Sequence, residues 1–213
     1  MAELMVIRHG QASFGAANYD VLSDLGHAQS RAVGAHLADT GWTPDRIVIG
    51  TMQRHAETLA SMGFDGADSH SGFNEYDFAD LLAARYEGEI PELVKGDRKT
   101  HFRTLRDTVL MWQRGELAGV AETWDDFAAR TEAARAFACD TKAKRVLVVS
   151  SGGVIGQLAS RALEAPTRMM MELNLQVKNT SVTTFVFSGP RFFLHQFNAA
   201  PHLDAAPDLL SYS

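Results

Sequence analysis

The chain has 213 residues, of which 46% are hydrophobic and 22% charged, a composition typical of a soluble globular protein with a substantial core. Its net charge of −6 at pH 7 argues against a general nucleic-acid-binding protein. No apolar run approaches the roughly 20 residues that span a bilayer, and the first residues lack the basic and apolar segments of a signal peptide. The single cysteine, Cys139, excludes an internal disulfide. We therefore expect a cytoplasmic protein without membrane or nucleic-acid partners.

The first part of the chain alternates predicted strands with predicted helices. The apolar runs Leu4–Ile7 and Ile47–Ile49 are typical of strands buried on both faces. The helix between them begins after the capping residue Ser23 and ends before Gly41. A second helix is predicted over about 53–62. This alternation predicts a parallel α/β sheet.

The last part of the chain continues this pattern and then changes it. Val146–Val149 is a third buried strand, and the helix after it ends near Leu163. The runs Val182–Phe187 and Phe192–Phe197 are separated by Ser188-Gly189-Pro190, which predicts a hairpin at one end of the sheet. The predicted fold class is therefore α/β: three α/β/α layers with a mostly parallel central sheet, a C-terminal hairpin and an inserted helical cap.

The predicted cap covers about 73–123. This stretch has several helical patches, many charges and no convincing strand, whereas the helix predicted over about 124–140 returns to the sheet. No linker or internal repeat divides the chain. We expect a single domain, 1–213, with the cap inserted into it.

Three polar clusters directly follow the three buried strands. They are Arg8-His9-Gly10-Gln11, Thr51-Met52-Gln53-Arg54-His55 and Ser150-Ser151-Gly152-Gly153. Ligands of parallel α/β sheets bind outside the carboxyl ends of the strands, so the fold would bring these distant clusters to one rim.

The side chains of these clusters suit a phosphate group. Arg8 and Arg54 supply planar forks of donors for phosphate oxygens. The backbone at Ser151 and Gly152 opens a helix, where N–H groups and the helix dipole favour an anion. A neutral imidazole at His9 can attack phosphorus and form a covalent intermediate that water later hydrolyses. The combination predicts phosphate chemistry through a nucleophilic histidine.

The same residues carry a family resemblance that extends over almost the whole chain. Five segments occur in the family's order: Val6-Ile7-Arg8-His9-Gly10, Leu22-Ser23-Asp24-Leu25-Gly26-His27-Ala28-Gln29, Gln53-Arg54-His55-Ala56-Glu57-Thr58, Phe73-Asn74-Glu75-Tyr76 and Val148-Val149-Ser150-Ser151-Gly152-Gly153. In these segments the chain resembles the histidine phosphatase superfamily, also called phosphoglycerate mutase-like.

The resemblance implies roles for individual residues. His9 would be the phosphate acceptor, Arg8 and Arg54 would bind the phosphate, and Gln11 would line the same pocket. Glu75 would be the general acid that protonates the leaving oxygen; its alternative is a solvated carboxylate. Neither a cofactor nor a metal ion is expected, because arginines can neutralise the phosphoryl charge and the histidines lack zinc-site spacing.

One position departs from the family pattern. Members usually carry a second histidine in a Ser-His-Gly-Gly setting, where this chain has Ser151. Serine donates one hydrogen bond but carries no charge, and loss of one transition-state donor costs about 10²–10³ in rate. His55 is a possible accessory residue that would replace the charge. The alternative for His55 is a packed or solvent-facing ring, because neighbours on a helix point about 100° apart.

Three functions are compatible with these residues. The leading hypothesis is a phosphomonoester hydrolase acting through a phosphohistidine on a phosphorylated small molecule or a phosphoprotein. A phosphoglycerate mutase-like phosphotransferase is the first alternative, but the chain is short and its first loop, with Ser13, Phe14 and Asn18, lacks the Trp-Asn of many members. A phosphate-binding pseudoenzyme is the second, favoured by Ser151 and opposed by His9, both arginines and Glu75.

The predicted cap also contains a basic cluster, which has two explanations. It would help to recruit an anionic substrate, or it is a solvated surface. Its members are Lys95, Arg98, Lys99, His101, Arg103 and Arg106. The sequence predicts neither the oligomeric state nor the individual substrate.

Overall fold

The computed structural model describes residues 1–13, 20–91 and 98–212, with the backbone alone for residues 98 and 99. Within these ranges six strands form one sheet, in the order β3-β2-β4-β1-β5-β6. The strands are β1 (Ala2–Arg8), β2 (Arg46–Ile49), β3 (Asp68–Ser69), β4 (Arg145–Ser150), β5 (Val182–Ser188) and β6 (Arg191–Ala199). The helices are α1 (Asp24–Asp39), α2 (Gln53–Ser61), α3 (Phe78–Arg85), α4 (Arg98–Gln113), α5 (Trp124–Cys139), α6 (Gly152–Ala162) and α7 (Met169–Asn174). None of the helices in the described ranges is long and apolar enough to cross a membrane.

Most strands of the sheet run in the same direction. β1 pairs parallel with β4, β4 with β2, and β2 with β3. β5 is antiparallel to β1, and β6 is antiparallel to β5, so β6 again runs with β1. The hairpin of β5 and β6 forms one edge of the sheet and turns at Gly189, whose φ is +56°. The predicted α/β class, the mostly parallel sheet and the C-terminal hairpin are confirmed.

Both faces of the central strands are covered by helices. Leu4 and Val6 of β1 belong to a core shared with α5 and α6. Met5 and Ile7 point to the opposite face, where they join a second core with α1 and α2. Since successive side chains of a strand alternate between faces, a strand covered on both sides appears in the sequence as a continuous apolar run. This arrangement gives the three layers that the sequence predicts.

Two short elements, β3 and α7, are not among the elements predicted from the sequence. β3 was not predicted, because Asp68 and Ser69 are both exposed and form no apolar run. The methionines after Pro166 form α7, in which Met170 and Met171 are fully buried. These two methionines therefore belong to the core of the protein.

The segment predicted as a cap is helical and joined internally by hydrogen bonds. Within 73–91 and 98–123 the structure has helices and turns and no strand. Arg85 of α3 donates to Thr108 Oγ1 of α4 at 2.8 Å, and Asp80 accepts from the backbone of Ala121 at 2.8 Å. These contacts link α3 to the middle of α4 and to the end of the segment.

A close contact between α1 and α2 supplies a test of the packing. A Cβ atom at Gly34 of α1 would lie 2.2 Å from the carbonyl oxygen of Met62, a backbone atom that cannot rotate away. We expect Gly34→Ala to lower the free energy of unfolding by about 1–3 kcal/mol through overpacking. Urea denaturation would measure this loss. On an open helix face the same substitution would be stabilising by about 1 kcal/mol.

The matched control is Ala35→Gly, at the exposed neighbouring position of α1. It reports the helix-propensity effect without the contact to Met62. Stabilisation by Gly34→Ala would show that α1 and α2 do not approach each other this closely.

Candidate active site

The site begins where the hydrogen-bond ladder of the sheet ends. Arg8 of β1 is opposite Ser150 of β4, and the backbone N–H of His9 donates to Ser150 O at 2.9 Å. On the other side of β4, the N–H of Gly50 donates to Val149 O at 3.2 Å. The residues that follow β1, β2 and β4 are therefore held next to one another, as the parallel arrangement predicts.

His9 is buried and its ring orientation is set by its own loop. Its Nδ1 lies 2.7 Å from the carbonyl oxygen of Gly10. Because a carbonyl oxygen only accepts hydrogen bonds, the ring carries its hydrogen on Nδ1 and keeps a lone pair on Nε2. Burial lowers the pKa of His9 well below its ordinary value, and the positive charges of Arg54 and Arg8 lower it further. His9 is thus a neutral imidazole with an available nucleophilic nitrogen.

The N-terminal part of α1 holds the loop that follows His9. Ser23 Oγ donates to Gln11 Oε1 at 2.9 Å, and the Gln11 N–H donates to Gln29 Oε1, also at 2.9 Å. A Cβ atom at Gly10 would lie 2.4 Å from the carbonyl oxygen of Gly26. Residues three apart on a helix share a face. Ser23, Gly26 and Gln29 therefore form one surface that fits this loop. Through Ser23, this surface also forms a hydrogen bond with the side chain of Gln11.

A second support reaches His9 from the end of the chain. Gln29 Nε2 donates to Ser211 Oγ at 2.8 Å, and Ser211 Oγ donates to Asn179 Oδ1 at 2.9 Å. Asn179 Nδ2 in turn donates to the carbonyl oxygen of His9 at 3.2 Å. Sequence reasoning missed this network, because Asn179 and Ser211 belong to no chemical motif.

Arg54, at the start of α2, is 5% exposed and forms an ion pair with Asp20 at 2.8 Å. The other carboxylate oxygen of Asp20 accepts from the backbone N–H of Gln53 at 2.8 Å. Asp20 thus supplies the N-terminal cap that Met52, at the capping position, cannot supply. Sequence reasoning missed Asp20, since nothing in its neighbourhood indicates a partner 34 residues away.

The Arg8 side chain extends from the end of β1 to the start of α6. Its guanidinium donates to the carbonyl oxygen of Val177. A Cβ atom at Gly152 would be 3.5 Å from the Arg8 guanidinium carbon and 2.4 Å from Asn174 Oδ1. Glycine at position 152 therefore permits the arginine and the asparagine to approach the first turn of α6.

Ser151 and His55 are in direct contact. Ser151 Oγ and His55 Nε2 are 2.8 Å apart, and both residues are completely buried. The ring centroid of His55 is 5.8 Å from that of His9. Burial lowers the pKa of His55 to about 3, with a further contribution from Arg54. The ring is therefore packed within the site as a neutral group as long as no anion is bound.

Glu75 is half-buried and reaches the beginning of α6. Its Oε2 accepts from the backbone N–H of Gly153 at 3.0 Å, and its Oε1 accepts from the N–H of Tyr76 at 3.2 Å. A Cβ atom at Gly153 would lie 2.2 Å from Glu75 Oε1. The Glu75 side chain is thus directed toward the N-terminus of α6, next to Ser151 and Gly152.

Arg130 of α5 holds the loop that carries Glu75 through hydrogen bonds to its backbone. Its guanidinium donates to the carbonyl oxygens of Asn74 at 2.7 Å, Gly72 at 3.2 Å and Glu75 at 3.4 Å. Glu122 pairs with the same guanidinium at 3.0 Å. Sequence reasoning missed this residue too, because an arginine in the middle of a predicted helix suggests an ordinary surface charge.

Some predicted features lie away from these contacts or outside the described residues. Arg106 pairs with Glu172 at 2.7 Å on the surface. Lys95, Phe14 and Asn18 are outside the described residues, as are the side chains of Arg98 and Lys99. Across the described ranges, no group of three or more His, Cys, Asp or Glu residues is arranged to hold a metal ion.

The family model of the histidine phosphatase superfamily (branch 1) matches residues 4–200. The chain belongs to this superfamily. Among curated proteins, none matches it in sequence. The match runs from within β1 to the end of β6 and so includes His9, Glu75 and Ser151.

Solved structures share the histidine phosphatase fold of the chain. A phosphoserine phosphatase from Entamoeba histolytica in complex with 3-phosphoglyceric acid has 21% identity and a TM-score of 0.67, over 95% of this chain and 100% of that one. A mycobacterial glucosyl-3-phosphoglycerate phosphatase has 22% identity and a TM-score of 0.66, over 94% and 100%. An alpha-ribazole phosphatase from Shigella flexneri has 19% identity and a TM-score of 0.66, over 93% and 96%. At these identities the likeness concerns the fold.

The buried His55 gives a pH-dependent test of the site. Its pKa of about 3 lies below its ordinary value of 6.5, so the unfolded chain takes up a proton that the folded chain does not. Its contribution to stability is present above pH 6.5 and is lost as the pH falls toward 3. Between pH 7.5 and 5.0, we expect His55 to lower the free energy of unfolding by about 2 kcal/mol.

Urea denaturation of wild type and His55→Gln at both pH values would measure this contribution. The acid-induced loss should be smaller in the variant by about 2 kcal/mol, whatever its stability at neutral pH. His27→Gln is the matched control, since His27 forms a similar bond with Ser61 Oγ at 2.8 Å in a partly exposed place. Equal losses in wild type and His55→Gln would contradict the buried neutral state.

Proposed function

We propose that this histidine phosphatase is a phosphomonoester hydrolase that acts through a phosphohistidine on His9. The observation that carries the proposal is the state of His9: a buried neutral ring, with hydrogen on Nδ1 and a lone pair on Nε2. Arg8 and Arg54 are the charges that act on it. A nucleophile of this kind next to two guanidinium groups suits attack on an anionic phosphoryl group.

The proposed reaction has two steps. In the first, His9 Nε2 forms a bond to phosphorus and the ester oxygen leaves with a proton from Glu75. In the second, water attacks the phosphorus and gives a proton to the Glu75 carboxylate. The bond between phosphorus and Nε2 breaks, and inorganic phosphate and neutral His9 are released. The second step restores the proton of Glu75 and the free imidazole of His9, so no oxidant, reductant or cofactor is consumed.

We propose that five groups bind the phosphate in front of His9 Nε2. Arg8 and Arg54 would bind the equatorial oxygens, while Ser151 and the backbone N–H of Gly152 would contribute the donors at the start of α6. Gln11 would line the same pocket, although its Oε1 accepts from Ser23. The support for this assignment is that the Gly152 backbone, Arg8 and Ser151 lie at one helix end.

A hydrogen bond and a neighbouring cavity support Glu75 as the general acid. Its hydrogen bond to Gly153 directs the carboxyl group toward the same helix end. A cavity of about 270 Å³ borders the loop of Glu75 and is lined in part by Glu75, Tyr76 and Trp112. We propose that this cavity receives part of the leaving group of a bound phosphate ester. The leaving oxygen would then lie beside Glu75.

The proposal also covers the cap and the substrate. We propose that about 73–123 acts as a cap within a single domain, 1–213, because α3 and α4 join the core next to the loop of Glu75. The structural neighbours named above are a phosphoserine phosphatase, a glucosyl-3-phosphoglycerate phosphatase and an alpha-ribazole phosphatase. We therefore favour a small phosphorylated molecule over a phosphoprotein as the substrate.

The nucleophile can be tested with His9→Ala. We expect the variant to lose about 10⁴-fold in phosphatase rate, because the covalent route is removed. Rapid quenching of the wild type at high pH should trap a phosphohistidine that His9→Ala does not form. Arg106→Ala, which changes an exposed ion pair, is the control and should retain activity. Release of phosphate without a trapped phosphohistidine would contradict the mechanism, and transfer of the phosphate to a second substrate without release would favour a mutase.

The general acid can be tested with Glu75→Gln, which keeps the shape and an acceptor for Gly153. We expect a loss of about 10²–10⁴ with alkyl phosphates, whose leaving oxygen needs a proton. With p-nitrophenyl phosphate the loss should be much smaller, because nitrophenolate leaves without protonation. Steady-state kinetics with both substrates would measure the difference. Equal losses with the two substrates would argue against Glu75 as the acid.

A further inference from the structure

The proposed two-step reaction leaves His55, the partner of Ser151, without a role. Ser151 occupies the N-cap position of α6, but its side chain makes no capping hydrogen bond to the helix. Its Oγ instead lies 2.8 Å from His55 Nε2. A serine side chain at this position normally stabilises the helix by capping it, so its replacement by a contact with a buried histidine calls for a function.

The surroundings of His55 determine which nitrogen faces the serine. A Cβ atom at Gly50 would lie 2.2 Å from His55 Nδ1, so this nitrogen is against the Gly50 backbone. The N–H of Gly50 already donates to Val149 O. The Gly50 backbone favours a hydrogen on this side of the ring, which assigns the hydrogen of the neutral ring to Nδ1. Nε2 then accepts the hydroxyl hydrogen of Ser151.

This arrangement conflicts with phosphate binding as long as His55 is neutral. A serine hydroxyl has one hydrogen to donate. If it turns toward an anion, the lone pairs of Ser151 Oγ and His55 Nε2 face each other at 2.8 Å. If His55 is protonated, Nε2–H donates to Ser151 Oγ and the hydroxyl hydrogen is available to the anion. A protonated His55 satisfies every group in the chain of hydrogen bonds.

The charged groups around His55 explain why the proton would arrive together with the anion. Arg54 from α2 acts on His55 directly, and the His9 ring approaches from the end of β1. Arg8, also from β1, donates to Val177, and Glu75 from the loop before α3 accepts from Gly153. The neighbouring cations and burial oppose a charged ring in the empty site. A phosphoryl dianion adds two negative charges and reverses this balance.

We infer that Ser151 and His55 form a proton relay, in which binding of a dianion at the start of α6 is coupled to uptake of one solvent proton by His55 Nε2. The protonated ring donates to Ser151 Oγ, and the Ser151 hydroxyl donates to an anion oxygen. His55 is thus a positioning residue that delivers positive charge through the serine. The inference rests on the proposed phosphate site, but it does not require turnover.

Sulfate is a suitable probe, because it stays a dianion at neutral pH and is not hydrolysed. Calorimetric titration of the full chain with sulfate, in two buffers of different ionisation enthalpy, counts the protons taken up on binding. We expect uptake of about one proton by the wild type and a Kd that rises about tenfold per pH unit above neutrality. In His55→Gln the amide can still donate to Ser151, so sulfate should bind with neither proton uptake nor this pH dependence.

Two further variants complete the experiment. Ser151→Ala removes the hydroxyl but leaves the imidazole, and it should also abolish the uptake; it serves as well if His55→Gln does not fold. His27→Gln, which alters the remote pair of His27 and Ser61, should take up as many protons as the wild type. Uptake that persists in His55→Gln or in Ser151→Ala would overturn the relay. Uptake that is lost only in His9→Asn would overturn it too, because His9 would then be the proton acceptor.

The relay and the proposed function can fail separately. Phosphatase activity through His9, without uptake that depends on His55, overturns the relay alone. Uptake that depends on His55 in a protein without phosphatase activity supports the relay and contradicts the proposed hydrolysis. If the wild type does not bind sulfate at all, the phosphate site itself is wrong.

Discussion

The parallel pairing of β1 with β4, and of β4 with β2, is the constraint on which the candidate site depends. Arg8 is in register with Ser150 and Val149 with Ile49, so the three strands end at one edge of the sheet. The ladder continues one residue further, through the N–H groups of His9 and Gly50. Hydrogen bonds of the backbone thereby bring His9, the N-terminus of α6 and His55 together, independently of the side-chain contacts in the site.

Burial then sets the chemistry of these groups. Two guanidinium groups close to His9 are costly in a buried place unless other groups compensate them. Asp20 pairs with Arg54, and the carbonyl of Val177 accepts from Arg8. The same charges and the same burial lower the pKa of His9, which keeps its Nε2 lone pair available for attack. The charges proposed to bind the phosphate therefore also keep the proposed nucleophile unprotonated, so the two properties would have one physical cause.

The features that could be predicted from the sequence are those that local patterns encode. Apolar runs such as Val146–Val149 identify strands buried on both faces, and His9 became the candidate nucleophile because its polar cluster follows such a run. β3 could not be found, since two exposed residues paired by backbone bonds leave no pattern. Asp20 and Arg130 were missed for a related reason. Each acts on a backbone or charge far away in the chain, and only the tertiary fold brings these partners together.

The contact between Ser151 and His55 also has a steric consequence that the sequence could not indicate. Ser151 Oγ is already 2.8 Å from His55 Nε2, and Gly50 is against the other ring nitrogen. The ring therefore fills the space between the ends of β2 and β4, and a side chain longer than serine at position 151 would have to displace it. Close-packed interiors rarely accommodate such an addition without strain. The residues at positions 55 and 151 are thus linked by volume as well as by a hydrogen bond, and the departure at Ser151 belongs to a rearranged pair instead of a single lost group.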